Sequence, residues 1–177
     1  YKPIRWIGAR KLSRADLEAH PRLKPILIRA NALGPGFPKT NLTVSRQHRI
    51  LVSSVVAKRM FGEHDVLIAA KKLLPLVGVD VIEDAAKGTT YWHILLDDHE
   101  IIWSNGTPAE SLYLGPQALQ AMTQDGLREI QYLLPKACDP KFNPIPARHF
   151  PKSGNLANKL VYRHQKNNKP LYVGPSL

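Results

Sequence analysis

Cysteine is almost missing: Cys138 is the only one in 177 residues. A single thiol forms no intrachain disulfide and cannot build a cysteine-rich metal site. It stands in Pro135-Lys136-Ala137-Cys138-Asp139-Pro140, between prolines and without the helix start that would lower a thiol pKa, so it reads as a structural residue. Long apolar runs are also lacking. None approaches the roughly 20 residues that cross a bilayer, and no basic leader precedes an apolar stretch, so no membrane partner is expected. Aromatic residues make up only 7%. Trp6, Trp92 and Trp103 fall in or beside apolar strand-like runs, where a place in the core is the expectation. No basic strand face carries interleaved aromatics and no helix carries a Lys/Arg stripe of the DNA-reading kind, so nucleic acid is not an expected partner.

Acid is scarce at both ends. Residues 1–60 hold 13 Lys/Arg against 2 Asp/Glu, residues 61–140 hold 5 against 12, and residues 141–177 hold 7 against none, which gives +11, −7 and +7 and a net +11. Two basic ends around an acidic middle either pair within one domain or present a basic face to an acidic protein partner. At 44% hydrophobic the chain is large enough for one domain with a proper core, plus an appendage. It opens on Tyr1 rather than Met and enters at once into Pro3-Ile4-Arg5-Trp6-Ile7-Gly8, which reads as strand interior. A fragment or a processed product is therefore expected.

Short β-branched or aromatic runs bounded by turn residues predict strands over residues 4–7, 26–29, 42–44, 50–56, 66–69, 79–82, 90–96 and 101–104. Many short strands with frequent punctuation argue for an all-β core. Ser13 is placed to cap a helix over 14–19 with Asp16 at its third position, and His20-Pro21 stops it. Residues 71–74 suggest another helical turn. Residues 117–123 and 127–134 have helical spacing, with Asp125-Gly126 between them and Pro135 as the stop. From Asp139 onward, six prolines and the run Lys166-Asn167-Asn168-Lys169 predict an irregular basic tail that wraps rather than folds alone.

Two segments carry chemistry. In Val44-Ser45-Arg46-Gln47-His48-Arg49, a hydroxyl precedes an imidazole by three residues at the mouth of a strand, an arrangement that polarises a peptide bond or simply caps a turn beside a surface histidine. In the stretch from Thr90 to Gly106, two apolar strands flank Asp97-Asp98, which predicts a hairpin bordered by His93 and His99. Three imidazoles invite a zinc hypothesis, yet the spacing is not a metal signature, and hydrogen-bonded strand histidines are the expectation. Neither a metal nor any other cofactor is expected. Asp97, Asp98 and Glu100 offer carboxylates, but turn carboxylates are ordinarily just solvated.

Read together, Pro3 to Gly8, Ile28 to Gly34, Leu42 to Arg49, Tyr91 to Gly106 and Pro108 to Ser111 occur in an order and with gaps that resemble the bacterial Hint (Hedgehog/intein) family. The resemblance covers roughly residues 3–135. It implies an all-β autoprocessing fold, a flattened horseshoe of short strands, here with short C-terminal helices. On that footing residues 1–135 form a Hint-like domain lacking its first strands, and residues 136–177 a Pro-rich basic extension.

Hint domains activate the peptide bond before their own first residue, usually a cysteine, by moving the acyl group onto its sulfur. That uphill exchange needs a polarised amide and a proton for the departing amine. By the resemblance His48 is the proton-handling histidine, and Ser45 takes the place usually held by a threonine that orients the scissile amide or its oxyanion. His99 matches the histidine of the later family block, and His93 is a neighbour that steers charge or packs. The nucleophile is absent: Tyr1 stands partway into the pattern and Cys138 lies in the wrong region. No His-Asn pair closes the chain, so splicing is not expected. The leading expectation is part of an autoprocessing domain whose partner is its own precursor segment, belonging to a bacterial, secreted or cell-surface precursor. The alternatives are an inactive Hint-derived module docking an acidic partner and, last, a basic nucleic-acid-binding module.

Overall fold

The computed structural model describes residues 1–84, 86–139, 141–151 and 153–173, with the side chains of residues 116, 117, 121, 136 and 138 outside that description. The structural reading of Cys138 therefore lies outside the described residues. In chain order the strands are β1 (Trp6–Leu12), β2 (Ile26–Ile28), β3 (Leu42–Val44), β4 (Arg49–Ser53), β5 (Asp65–Ala69), β6 (Val79–Val81), β7 (Thr89–Leu95), β8 (Ile101–Ser104) and β9 (Thr107–Glu110). The helices are α1 (Arg14–Ala19), α2 (Val55–Phe61), α3 (Pro116–Ala121), α4 (Gln124–Leu133) and α5 (Gly154–Lys166). All pairings within the sheets are antiparallel: β1 with β7, β2 between β3 and β6, and a larger sheet in the order β5-β4-β9-β8.

Ser13 opens α1 as its spacing predicts. Its hydroxyl accepts from the Asp16 backbone N–H at 3.2 Å while the Asp16 carboxylate accepts from the Ser13 N–H at 2.8 Å, which satisfies two donors that the first helical turn leaves free. The apolar runs of β4 and β5 pair along their whole length, from Arg49 opposite Ala69 to Ser53 opposite Asp65. Ile50, Val52, Val66 and Ile68 enter the main core with Ile26, Ile28 and Val44; Leu51 and Leu67, cross-strand partners, are buried on the other face. A continuous apolar run is what a strand covered on both faces requires.

Four expectations give way. The strand expected to reach Val56 stops at Ser53, because Ser54 caps α2: its hydroxyl accepts from the Ala57 N–H at 3.0 Å, and Gly62 closes that helix in the left-handed region at φ 79°. The residues flanking Asp97-Asp98 form no hairpin. β1 takes up all of β7, from Trp6 opposite Leu95 to Leu12 opposite Thr89, while β8 turns at Asn105-Gly106 into β9, a strand outside the expected set. Both turn residues have positive φ, 49° and 77°, the requirement that makes Asn-Gly the better hairpin signal. Trp92 and Trp103 are outside rather than in the core, 68% and 62% exposed. Only Trp6 is half-buried, where it packs on Leu95, Leu114 and Ile130 while its indole N–H donates to Glu129. Asp125-Gly126 lies within α4 rather than between helices, since the hydroxyl of Thr123 accepts from the Gly126 N–H at 3.1 Å and starts that helix three residues earlier.

The tail differs most. Between Pro151 and Pro170 no proline interrupts, and Ser153 caps a 13-residue α5 whose Ala157, Leu160, Val161 and His164 form one buried stripe at helical spacing. Leu160, Val161 and Leu171 join the same core as β4 and β5. His164 is locked in place, Nε2 3.0 Å from the Ser54 hydroxyl and Nδ1 3.1 Å from the Lys169 carbonyl. The tail backbone also bridges to the large sheet: the Leu67 N–H donates to the His149 carbonyl at 2.9 Å, and the Ser53 N–H to the Leu171 carbonyl at 3.0 Å.

The charge asymmetry resolves in part inside the chain. Lys2 pairs with Glu100, Arg5 with Asp97, Lys24 with Glu83, Arg29 with Asp80, Arg49 with Glu110 and Arg148 with Asp65. Each pair joins a basic end to the acidic middle. Most are solvated and individually weak.

Candidate functional site

Ser45 and His48 close one turn at the mouth of β4. The His48 backbone N–H lies 3.2 Å from both the Ser45 hydroxyl and the Ser45 carbonyl, and the His48 carbonyl accepts from the Ala70 N–H at 2.9 Å. The Ser45 hydroxyl thus accepts from backbone rather than from the imidazole, and its own O–H stays free to donate. The turn aims the His48 ring inward, where Nε2 is out of solvent and has no hydrogen-bond partner among the described residues. Burial lowers its pKa, Glu110 works against that, and His93, Arg49 and His99 push the same way as burial. His48 is a neutral imidazole at pH 7.

His93 stands on β7 opposite Gly8 of β1. Burial, then Arg10, lowers its pKa as well. His99 follows β7 in the connection to β8 and is buried on all sides. Its Nδ1 accepts from the Ala147 N–H at 3.0 Å, so its ring hydrogen is on Nε2, 3.3 Å from a Glu110 carboxylate oxygen. That approach is off the hydrogen-bond direction, an electrostatic contact only. The rings of Tyr113 and Phe150 flank His99 at 5.0 and 6.0 Å.

Glu110 is the hub that sequence reasoning missed, and Arg49 with it. The carboxylate sits at the end of β9, where it accepts from the Arg49 backbone N–H at 2.8 Å and from the Arg49 guanidinium at 3.1 and 3.4 Å. Arg49 in turn lies over the Phe150 ring, 4.0 Å from its centroid. Burial alone would raise the Glu110 carboxyl, but His99, Arg49, His48 and the Arg49 N–H outweigh it and hold the group below its usual range. The available signal was a lone acid in Thr107-Pro108-Ala109-Glu110, a segment set after an Asn-Gly turn and buried at every position.

Of the expected residues, the structure brings His93 and His99 into electrostatic range of His48, with Ser45 on the turn that holds His48, and Glu110, not expected, joins them. Asp97 and Glu100 are committed elsewhere, to Arg5 and Lys2. Among the described residues no three His, Cys, Asp or Glu converge as a metal site.

The neutral histidines have a consequence for stability. His48, His93 and His164 are each lowered from 6.5, in every case with burial as the leading cause. The unfolded chain protonates them near 6.5 while the folded chain resists, so their contribution is fully present above that pH and is lost as pH falls below it. The urea midpoint is expected to be lower at pH 5 than at pH 7.5. Equal midpoints would mean that these rings are solvated.

A family model described as Hint domain matches residues 1–116. No curated protein and no solved structure matches the chain.

Proposed function

Because that match spans most of its length, the chain belongs to the Hint domain family, and we propose that it carries the assisting half of an autoprocessing site, with the nucleophile supplied from outside residues 1–177. The observation that supports this is the His48 imidazole: neutral, half-buried with Nε2 out of solvent and without a partner among the described residues, and fixed by the turn that Ser45 closes.

In this reading a cysteine thiol of the precursor gives its proton to His48 as its sulfur attacks the preceding carbonyl carbon. The same proton passes from His48 to the amine nitrogen as the C–N bond breaks, leaving a thioester and no net proton change. A lowered pKa suits the first transfer, since the ring must arrive unprotonated. In the same reading the O–H of Ser45 donates to the carbonyl oxygen, where negative charge develops. His99 and Arg49 act through Glu110, whose negative charge faces His48 and steadies it when it is transiently protonated. His93, itself held neutral by burial, disfavours a second charge beside His48 when either ring is protonated.

A second reading, an inactive Hint-derived module, has its own observation. His99 is closed off by the chain itself, through the Ala147 N–H on Nδ1 and the Tyr113 and Phe150 rings around it. Intact mass of the full precursor, with and without added thiol, separates the two. Autoprocessing gives a thiol-dependent fragment, and His48→Ala slows its appearance at least about 100-fold. A wild-type precursor that stays whole in thiol favours the inactive module, and undiminished cleavage by His48→Ala removes the role given to His48.

A further inference from the structure

Some of the cations at the two ends of the chain meet carboxylates, and of those that do not, five gather in one place. Among the described residues Arg59, Lys159, Arg163, Lys166 and Lys169 form no ion pair. All five line one concavity of about 590 Å³ beside α2 and α5. Its size is that of a small-molecule site.

Such a gathering is unfavourable by itself. Lys159 and Arg163 are four residues apart on α5 and Arg163 and Lys166 three apart, so like charges neighbour one another along one face. The carbonyl end of α5 accounts for Arg163 and Lys166, both in its last turn. It does not account for Lys159, further from that end, or for Arg59, which arrives from α2. The groove is also firmly built, because the opposite face of α5 is the buried stripe through Leu160 and His164. Between Lys159 and Arg163 in sequence, and lining the same concavity, is Tyr162, 59% exposed. Val56 of α2 supplies an apolar wall.

The ligand that fits is one with dense negative charge and a flat apolar part. Successive phosphoryl groups put several charges on neighbouring atoms, and guanidinium groups meet phosphate oxygens two at a time. An extended peptide offers at most one carboxylate per residue, roughly 3.3 Å apart, and only every second one on a given face. Tyr162 offers a face on which a base stacks. We propose that the groove between α2 and α5 binds a nucleoside polyphosphate, its phosphoryl oxygens on the five cations and its base on Tyr162. The site is separate from His48 and stands whether or not the chain cleaves itself.

Calorimetric titration of the whole chain at about 0.15 M salt, where loose surface attraction is screened, tests this. The probes are adenosine triphosphate, inorganic tripolyphosphate, an Asp-only tetrapeptide and a short single-stranded oligonucleotide. Adenosine triphosphate should bind saturably at one site and more tightly than tripolyphosphate. Lys159→Ala/Arg163→Ala should weaken both at least tenfold, and Lys166→Gln/Lys169→Gln gives an independent check from a different stretch. Tyr162→Ala should weaken the nucleotide several-fold and leave tripolyphosphate unchanged. All these side chains are exposed, so unfolding midpoints should stay in place. No saturable nucleotide binding, or binding unmoved by both double variants, overturns the proposal. So does tighter binding of the tetrapeptide or the oligonucleotide, which would reassign the groove to an acidic protein or to nucleic acid.

Discussion

Glu110→Ala should cost about 3–5 kcal/mol of folding stability, the range seen when one partner of a buried ion pair is removed. The substitution strands two donors at once, the guanidinium and the backbone N–H of Arg49, and removes the charge that faces the His99 ring. The carboxylate is 8% exposed and the Arg49 side chain 27%, so water replaces the lost oxygen poorly. Glu110→Gln keeps a carbonyl oxygen for the Arg49 N–H and loses only the charge, and it should cost roughly half as much. Urea unfolding of the three proteins at pH 7.5 gives both numbers. The carboxyl is held below its usual range, so its contribution is fully present above the unfolded value of 4.5 and is lost as the pH falls through the lower folded one. The gap between wild type and Glu110→Ala should therefore narrow toward pH 3. A loss under about 1 kcal/mol at pH 7.5 would mean that Arg49 finds solvent, and that Glu110 is not what holds this corner together.

Leu160→Ala should cost about 2–5 kcal/mol, because Leu160 is wholly buried in the core that β4 and β5 share with α5. The size within that range depends on how far Val52, Val161 and their neighbours collapse into the space. Its sequence neighbour Lys159 is exposed, and Lys159→Ala should change stability by no more than about 0.5 kcal/mol. Thermal unfolding of the pair separates packing in the extension from its charge. If both substitutions proved equally mild, α5 would be a loosely attached appendage.

How far the fold was legible depended on whether a segment's partner lay nearby. Ser13, Asp16 and His20-Pro21 act within one turn, and α1 forms where their spacing says. β2, β3, β5 and β6 are short apolar runs with punctuation on both sides, and they come out within a residue of expectation. Tyr91 to Gly106 misled because its two strands are adjacent in sequence but do not pair with each other: β8 turns into β9, while β7 is matched by β1, some eighty residues earlier, and that match cannot be read from the turn. Prolines dominated the reading of the tail and concealed the proline-free interval in which α5 forms. At the site, His48 and Ser45 were visible because their spacing is local. Glu110 was not, since a single acid acquires meaning only when Arg49, His99 and the tail's Phe150 are folded around it.

The bridge from His149 to the outer margin of β5 has a bearing on how this chain behaves after damage. β5 is the terminal strand of the largest sheet and reads Asp65-Val66-Leu67-Ile68-Ala69, and the tail occupies part of its outward hydrogen-bonding row. A protease cut in the proline-rich stretch before His149 would free that row without touching the core. Uncovered, an apolar margin of this kind templates pairing with a second molecule. The nicked protein should thus lose colloidal stability and precipitate on standing well before it loses its secondary structure, and handling losses in preparation would trace to the tail rather than to the sheet it guards.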